Sequence, residues 1–141
     1  MRYLVVIEKS PRNYSAYSPD MPGCVATGRT LDDTARNMRE ALEGHLEVMA
    51  EHGEAAPEPT AWAITVRGYI VPIEKTADGY RAEPPDLPDV VAAADTPERV
   101  ESLARDAIAW HLDARSGSVQ LPQPASEVVH VEIAVPRAIA S

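Results

Sequence analysis

The chain repeats itself, and the repeat limits what it can fold into. A shift of 66 residues lays Tyr3 on Tyr69, Val5 on Val71, Ile7 on Ile73 and Glu8-Lys9 on Glu74-Lys75. The same shift pairs Tyr14 with Tyr80, Asp20 with Asp86, Pro22 with Pro88, Thr30 with Thr96 and His45-Leu46 with His111-Leu112. Past that point a shift of 65 sets Pro57 and Pro59 on Pro122 and Pro124. Matches in one register mark an internal duplication; two copies do not make a solenoid. A copy of about 70 residues is small for an independent core, so buried surface shared between the copies is expected.

Each copy reads as β-β-β-α-β. Tyr3–Ile7 is β-branched and alternating, a first strand. Ser10-Pro11-Arg12-Asn13 is a turn, and Tyr14–Tyr17 completes a hairpin. Pro19 and Pro22 cannot donate to a ladder, so the sheet breaks at Pro19-Asp20-Met21-Pro22-Gly23. Gly23 permits a positive φ. Cys24–Thr27 is the third strand. Thr30 caps a helix whose first turn holds Asp32 and Asp33 at the positive end of the dipole. Leu31, Ala35, Met38, Leu42, Leu46 and Met49 form its apolar stripe, and Gly53 stops it. Trp62–Val66 is read as the strand that closes the first unit, residues 1–67. The second unit, 68–141, repeats the plan. Thr96 and Pro97 open its helix, Val100, Leu103, Ala107, Ile108 and Leu112 form its stripe, Ser116-Gly117-Ser118 ends it, and Val128–Val135 is the last strand. Pro136–Ser141 is a short tail.

Charge narrows the partners. The net charge is −9, which speaks against direct nucleic-acid binding, since phosphate contacts need Lys and Arg. It suits a basic protein partner. No run approaches the ~18 apolar residues of a membrane span, and the N-terminus reads as a strand and not a signal peptide. With Cys24 the single cysteine, no intrachain disulfide or multi-cysteine metal site can form. A cytoplasmic location is expected.

Tyr14–Gly28, YSAYSPDMPGCVATG, followed by the capped helix with its late His-Leu pair, the glycine stop and the proline pair, resembles the HicB family of antitoxins. The resemblance runs from Tyr3 to about Val66. The second unit resembles the family more loosely: it keeps Asp86 and Pro88 but has Asp89-Val90 in place of Gly23-Cys24. The resemblance implies an α+β chain of two tandem β-β-β-α-β units with a partial ribonuclease-H-like fold, mainly antiparallel sheets each packed by one helix. It implies a partner, the small basic HicA toxin, which binds and cleaves messenger RNA and which the antitoxin masks. Many relatives carry a C-terminal DNA-binding segment. None is expected here, since the chain ends just past the last strand. Small relatives associate through their sheets, so a homo-oligomer, a dimer of duplicated units, is expected.

The first function reading is therefore a non-enzymatic antitoxin-like protein. Its partner-binding candidates are Asp20, Met21, Pro22 and Gly23 in the loop, and Glu40, Glu43, Glu47 and Glu51 on one side of the first helix. Set against this, Pro, Asp and Gly are ordinary turn residues, and a helical charge stripe is often a solvated face. The alternative is an orphan assembly or small-ligand binding module with no toxin partner. Cys24 has no basic neighbour to activate it and reads as a small buried residue. His45 and His111 sit at equivalent points, beside the apolar stripes, where a structural role is the commoner one. His52 is two turns from His45, too far to share a metal, and His130 has no evident partner. Glu8, Asp20, Asp32, Asp33 and Glu40 lack the convergence of a two-metal nuclease. No catalytic residue, metal or cofactor is expected. Trp110 replaces Gly44, which crowds one helix face where its counterpart is open.

Overall fold

A computed structural model describes residues 1–115 and 121–134. The elements are β1 (Arg2–Lys9), β2 (Tyr14–Tyr17), β3 (Val25–Gly28), α1 (Leu31–Glu51), β4 (Trp62–Val66), β5 (Tyr69–Thr76), β6 (Gly79–Ala82), β7 (Ala92–Ala94), α2 (Pro97–Ala114) and β8 (Glu127–Glu132). They form two four-stranded antiparallel sheets, ordered β3-β2-β1-β8 and β4-β5-β6-β7. The α+β class expected from the sequence holds. The Ser116-Gly117-Ser118 stop and the Pro136–Ser141 tail lie outside the described residues, as does Val135 at the end of the expected last strand.

The division of the chain differs from the expected 1–67 and 68–141. The first compact unit joins Met1–Thr60 to the segment from Glu127, and the second is Ala61–Ser126. Each copy's fourth strand is thus in the other copy's sheet. Trp62–Val66 does not close the first unit; it pairs with β5, Trp62 opposite Ile73 through Val66 opposite Tyr69. Its counterpart β8 pairs with β1, Arg2 opposite Glu132 through Ile7 opposite Glu127. The cause is local. Only Arg67 and Gly68 separate β4 from β5, with φ of 50° and 88°. Two consecutive positive-φ residues make the tight turn whose twist matches a hairpin. A strand leaving that turn has to pair with its immediate neighbour, so the vacant edge of β1 is filled by β8.

In the first unit, Tyr3, Val5 and Ile7 of β1 meet Met38, Leu42 and Leu46 of α1, with Val131 from β8 completing the core. α1 buries Thr34, Met38, Leu42, Leu46 and Ala50, a four-residue spacing that keeps one narrow face on the sheet. Leu31 and Met49 flank this stripe, partly buried. Burying a side chain such as Leu42 is worth about 1.5–3 kcal/mol. Thr30 caps α1 by accepting from Asp33 N at 3.0 Å. Close packing fixes Gly28: a Cβ there would lie 2.5 Å from Thr34 Oγ1 and 2.7 Å from its N.

In the second unit, Val71 and Ile73 of β5 pack with Val100, Ala104, Ile108 and Leu112 of α2. Thr96 caps α2 through Arg99 N at 3.2 Å. Pro72 is tolerated in the central strand because its carbonyl faces Glu83, one residue past the end of β6. Its missing N–H therefore faces the side where the β6 ladder has already stopped. No helix among the described residues is long and apolar enough to cross a membrane.

Candidate functional site

The proline-bracketed loop is first of all a latch. In the first unit the Asp20 carboxylate accepts from Thr60 N at 3.0 Å and Thr60 Oγ1 at 2.9 Å. Tyr3 Oη donates to Pro57 O at 2.7 Å. Together they tie the chain that follows α1 to β1 and to the loop before β3. Burial, with the Asp20 and Glu58 charges adding to it, pushes the Tyr3 hydroxyl above the ordinary tyrosine range. The second unit repeats the latch. Asp86 accepts from Ala125 N, Ser126 N and Ser126 Oγ, each at 2.9 Å, and Tyr69 Oη donates to Pro122 O. Loop turns repeat too: Met21 N to Ser18 O and Cys24 N to Met21 O match Leu87 N to Pro84 O and Val90 N to Leu87 O.

This geometry sorts the loop candidates. Met21 is a core residue, 1% exposed, so its side chain is not offered to a partner; like Leu87 it plugs the end of the sheet–helix core. Asp20 is occupied by the latch. Pro22 and Gly23 are exposed at the tip, and Gly23 takes the expected positive φ of 85°. Asp89 replaces it in the second unit without a positive φ. Cys24 is buried and free, and burial raises its thiol, which fits an unreactive packing residue.

Beside each latch lies a groove between the entry to the third strand and the helix. In the first unit it is a concavity of about 330 Å³ lined by Gly23, Cys24, Val25, Ala41, Gly44, His45 and Val48. In the second it is about 420 Å³, lined by Asp89, Val90, Val91, Leu103, Asp106, Ala107, Trp110 and His111. Six of these positions correspond under the repeat, from Gly23 and Asp89 to His45 and His111. The histidines are thus groove residues, one per unit. Large exposed apolar side chains gather here: Val25 and Val48 on one groove, Val91, Leu103 and Trp110 on the other.

Leu103 corrects the expected α2 stripe. The buried set is Val100, Ala104, Ile108 and Leu112, while Leu103 and Trp110 occupy the neighbouring stripe on the groove. The helix carries two adjacent apolar stripes, and the narrow sheet covers one. The sequence signal was present in the Trp110-for-Gly44 difference, but periodicity alone merged the stripes.

Glu40, Glu43, Glu47 and Glu51 are all exposed, on the side of α1 away from the sheet. Among the described residues none of the four has an ion-pair partner, so their charge faces solvent. Asp33 is different: it pairs with Arg36. The second unit keeps Asp106 and Asp113 at the equivalent sites but has Ala109 for Glu43, and Asp113 pairs with Arg67 at 3.0 Å. Among the described residues no group of three or more His, Cys, Asp or Glu side chains is placed to hold a metal. His52 instead closes α1, its Nδ1 donating to Val48 O at 2.8 Å.

Each of the two latched α+β units thus carries a solvent-facing groove, and the first carries an exposed acidic stripe without ion pairs among the described residues. Residues 3–67 match the family model of the HicB-like antitoxin of bacterial toxin–antitoxin systems. A UPF0150 protein of Thermoplasma acidophilum is 34% identical over 67 residues, covering 47% of this chain and 97% of the relative. The N-terminal domain of the Burkholderia pseudomallei antitoxin HicB is 36% identical, over 41% of this chain and 69% of that one, with a TM-score of 0.39. A HicA3–HicB3 toxin–antitoxin complex contributes a chain 34% identical, over 42% of this chain and 69% of that one, with a TM-score of 0.38. The chain belongs to the HicB-like antitoxin family. The family match runs contiguously through β4, although the folded first unit takes its fourth strand from β8.

Proposed function

We propose that this chain is the antitoxin of a type II toxin–antitoxin pair and masks a small, basic, RNA-cleaving toxin of the HicA type. The observation that carries the reading is the acidic stripe Glu40–Glu43–Glu47–Glu51, exposed and without ion pairs among the described residues, on the unit that matches the antitoxin family. Uncompensated carboxylates on a rigid helix attract a basic surface and speed its docking. The exposed loop tip at Pro22 and Gly23 and the small groove beside Gly44 extend the same surface. Met21 and Asp20 support it from within. The chain acts by occupying the toxin, so no chemistry is asked of its own residues. Pairing of two chains through an open sheet edge, such as β3, belongs to the same reading.

Co-purification of the tagged chain from its own cells, with mass spectrometry of what stays bound, tests it. A basic partner should be retained at low salt and released as salt screens the stripe. Changing Glu43 and Glu47 to Lys should weaken binding by about tenfold or more without unfolding the chain. Recovery of the bare chain from cells that express the toxin would overturn the reading.

A further inference from the structure

Where the first groove is lined by Gly44, the second is lined by the indole of Trp110. Trp110 is 74% exposed, which is unusual for so large an apolar side chain outside an interface. It neither packs in the core of its unit nor appears in the aromatic pair, which is Trp62 with Tyr80. Around it stand apolar walls from Val91, Leu103 and Ala107, and the carboxylates of Asp106 and Asp89. Asp106 is one helical turn before Trp110, on the same side of α2. Asp89 lies 3.7 Å from Arg115, an exposed pair that solvent screens.

We infer that this groove is a receptor for an arginine side chain of a basic protein partner. An arginine has an apolar stem and a flat cationic head. The groove lining supplies a counterpart for each part: apolar side chains, an indole and carboxylates. A guanidinium over an indole is attracted by the ring's quadrupole, and a carboxylate at its edge supplies charge-assisted hydrogen bonds. The acidic groove disfavours nucleic acid as occupant. The inference rests on the reading that the chain engages a basic protein. It adds a second contact point, in the unit outside the family match, where Trp110 is the anchor and Asp106 the charge partner.

The test uses the full chain with Trp62→Phe, which leaves Trp110 as the only tryptophan. The probe is a short synthetic peptide of leucine and arginine, with a control in which citrulline replaces each arginine. The arginine peptide should change the Trp110 emission saturably, and the citrulline peptide should bind about tenfold more weakly or worse. By calorimetry, Trp110→Ala should weaken the arginine peptide about tenfold and Asp106→Asn a few-fold. Trp110 is exposed, so these changes leave the fold intact. Equal binding by Trp110→Ala, equal binding of the citrulline peptide, or no saturable change would each overturn the inference. No toxin enters this titration. Failure to capture a toxin therefore breaks the antitoxin reading alone, while a captured toxin indifferent to Trp110→Ala overturns this inference and leaves that reading standing.

Discussion

The two units keep the same latch and differ in the groove beside it. Asp20 and Asp86, Tyr3 and Tyr69, and the turns of the loop make equivalent hydrogen bonds in both. What changes is the helix surface: Gly44 and four glutamates in one, Trp110 and two aspartates in the other. The lesson is a division of labour within one motif. The prolines and the aspartate hold the fold, and the solvent-facing positions around them are free to differ between the units.

The strand exchange provides the largest expected effect. By sequence, β8 belongs to the second copy; by structure, it completes the first sheet. Ending the chain after Ser126 should therefore strip hydrogen-exchange protection from β1 and spare β5 and its partner β4. Loss of protection centred on β5 would show that the strands pair within their own copies. Next in size is the latch. Asp86→Ala takes the acceptor from Ala125 N, Ser126 N and Ser126 Oγ, and Asp20→Ala takes it from Thr60 N and Thr60 Oγ1 among others, so a loss of about 1–3 kcal/mol is expected at each. Chemical denaturation of the two variants measures both losses.

A smaller, pH-dependent effect separates Tyr3. Its folded-state value is raised, so the unfolded chain ionises first as pH rises. The native state then holds more protons, and stability contributed by Tyr3 is full below the ordinary tyrosine range and falls through it. Tyr3→Phe should cost about 1 kcal/mol near neutrality and flatten that alkaline decline. Smallest of all, Trp110→Ala should shift stability by no more than about 0.5 kcal/mol. A larger loss in thermal unfolding would move Trp110 from the exposed surface into the core.

Much of this was legible from spacing. The duplication, the caps at Thr30 and Thr96, the three-strand approach to each helix and the positive φ at Gly23 all follow from local chemistry. The exchanged fourth strands did not emerge from the repeat, because a repeat says which segments are equivalent and not which partner each one takes. The two-residue spacer Arg67-Gly68 carried that information, and hairpin geometry decides it. Asp20 was legible as a turn residue, but its latch partner Thr60 is 40 positions away. Met21 looked like an exposed loop residue because its neighbours are turn formers; only the packed structure reveals that it fills the core. Leu103 failed in the opposite direction, since an apolar stripe wider than its sheet leaves one edge in solvent.

The most direct test of the account is a cleavage assay. The purified HicA-type toxin is given a messenger RNA substrate, with and without one equivalent of this chain. Cleavage should stop as the chain reaches stoichiometry and return when Glu40, Glu43, Glu47 and Glu51 are changed together to Lys. Cleavage that continues unchanged in the presence of excess chain would contradict it.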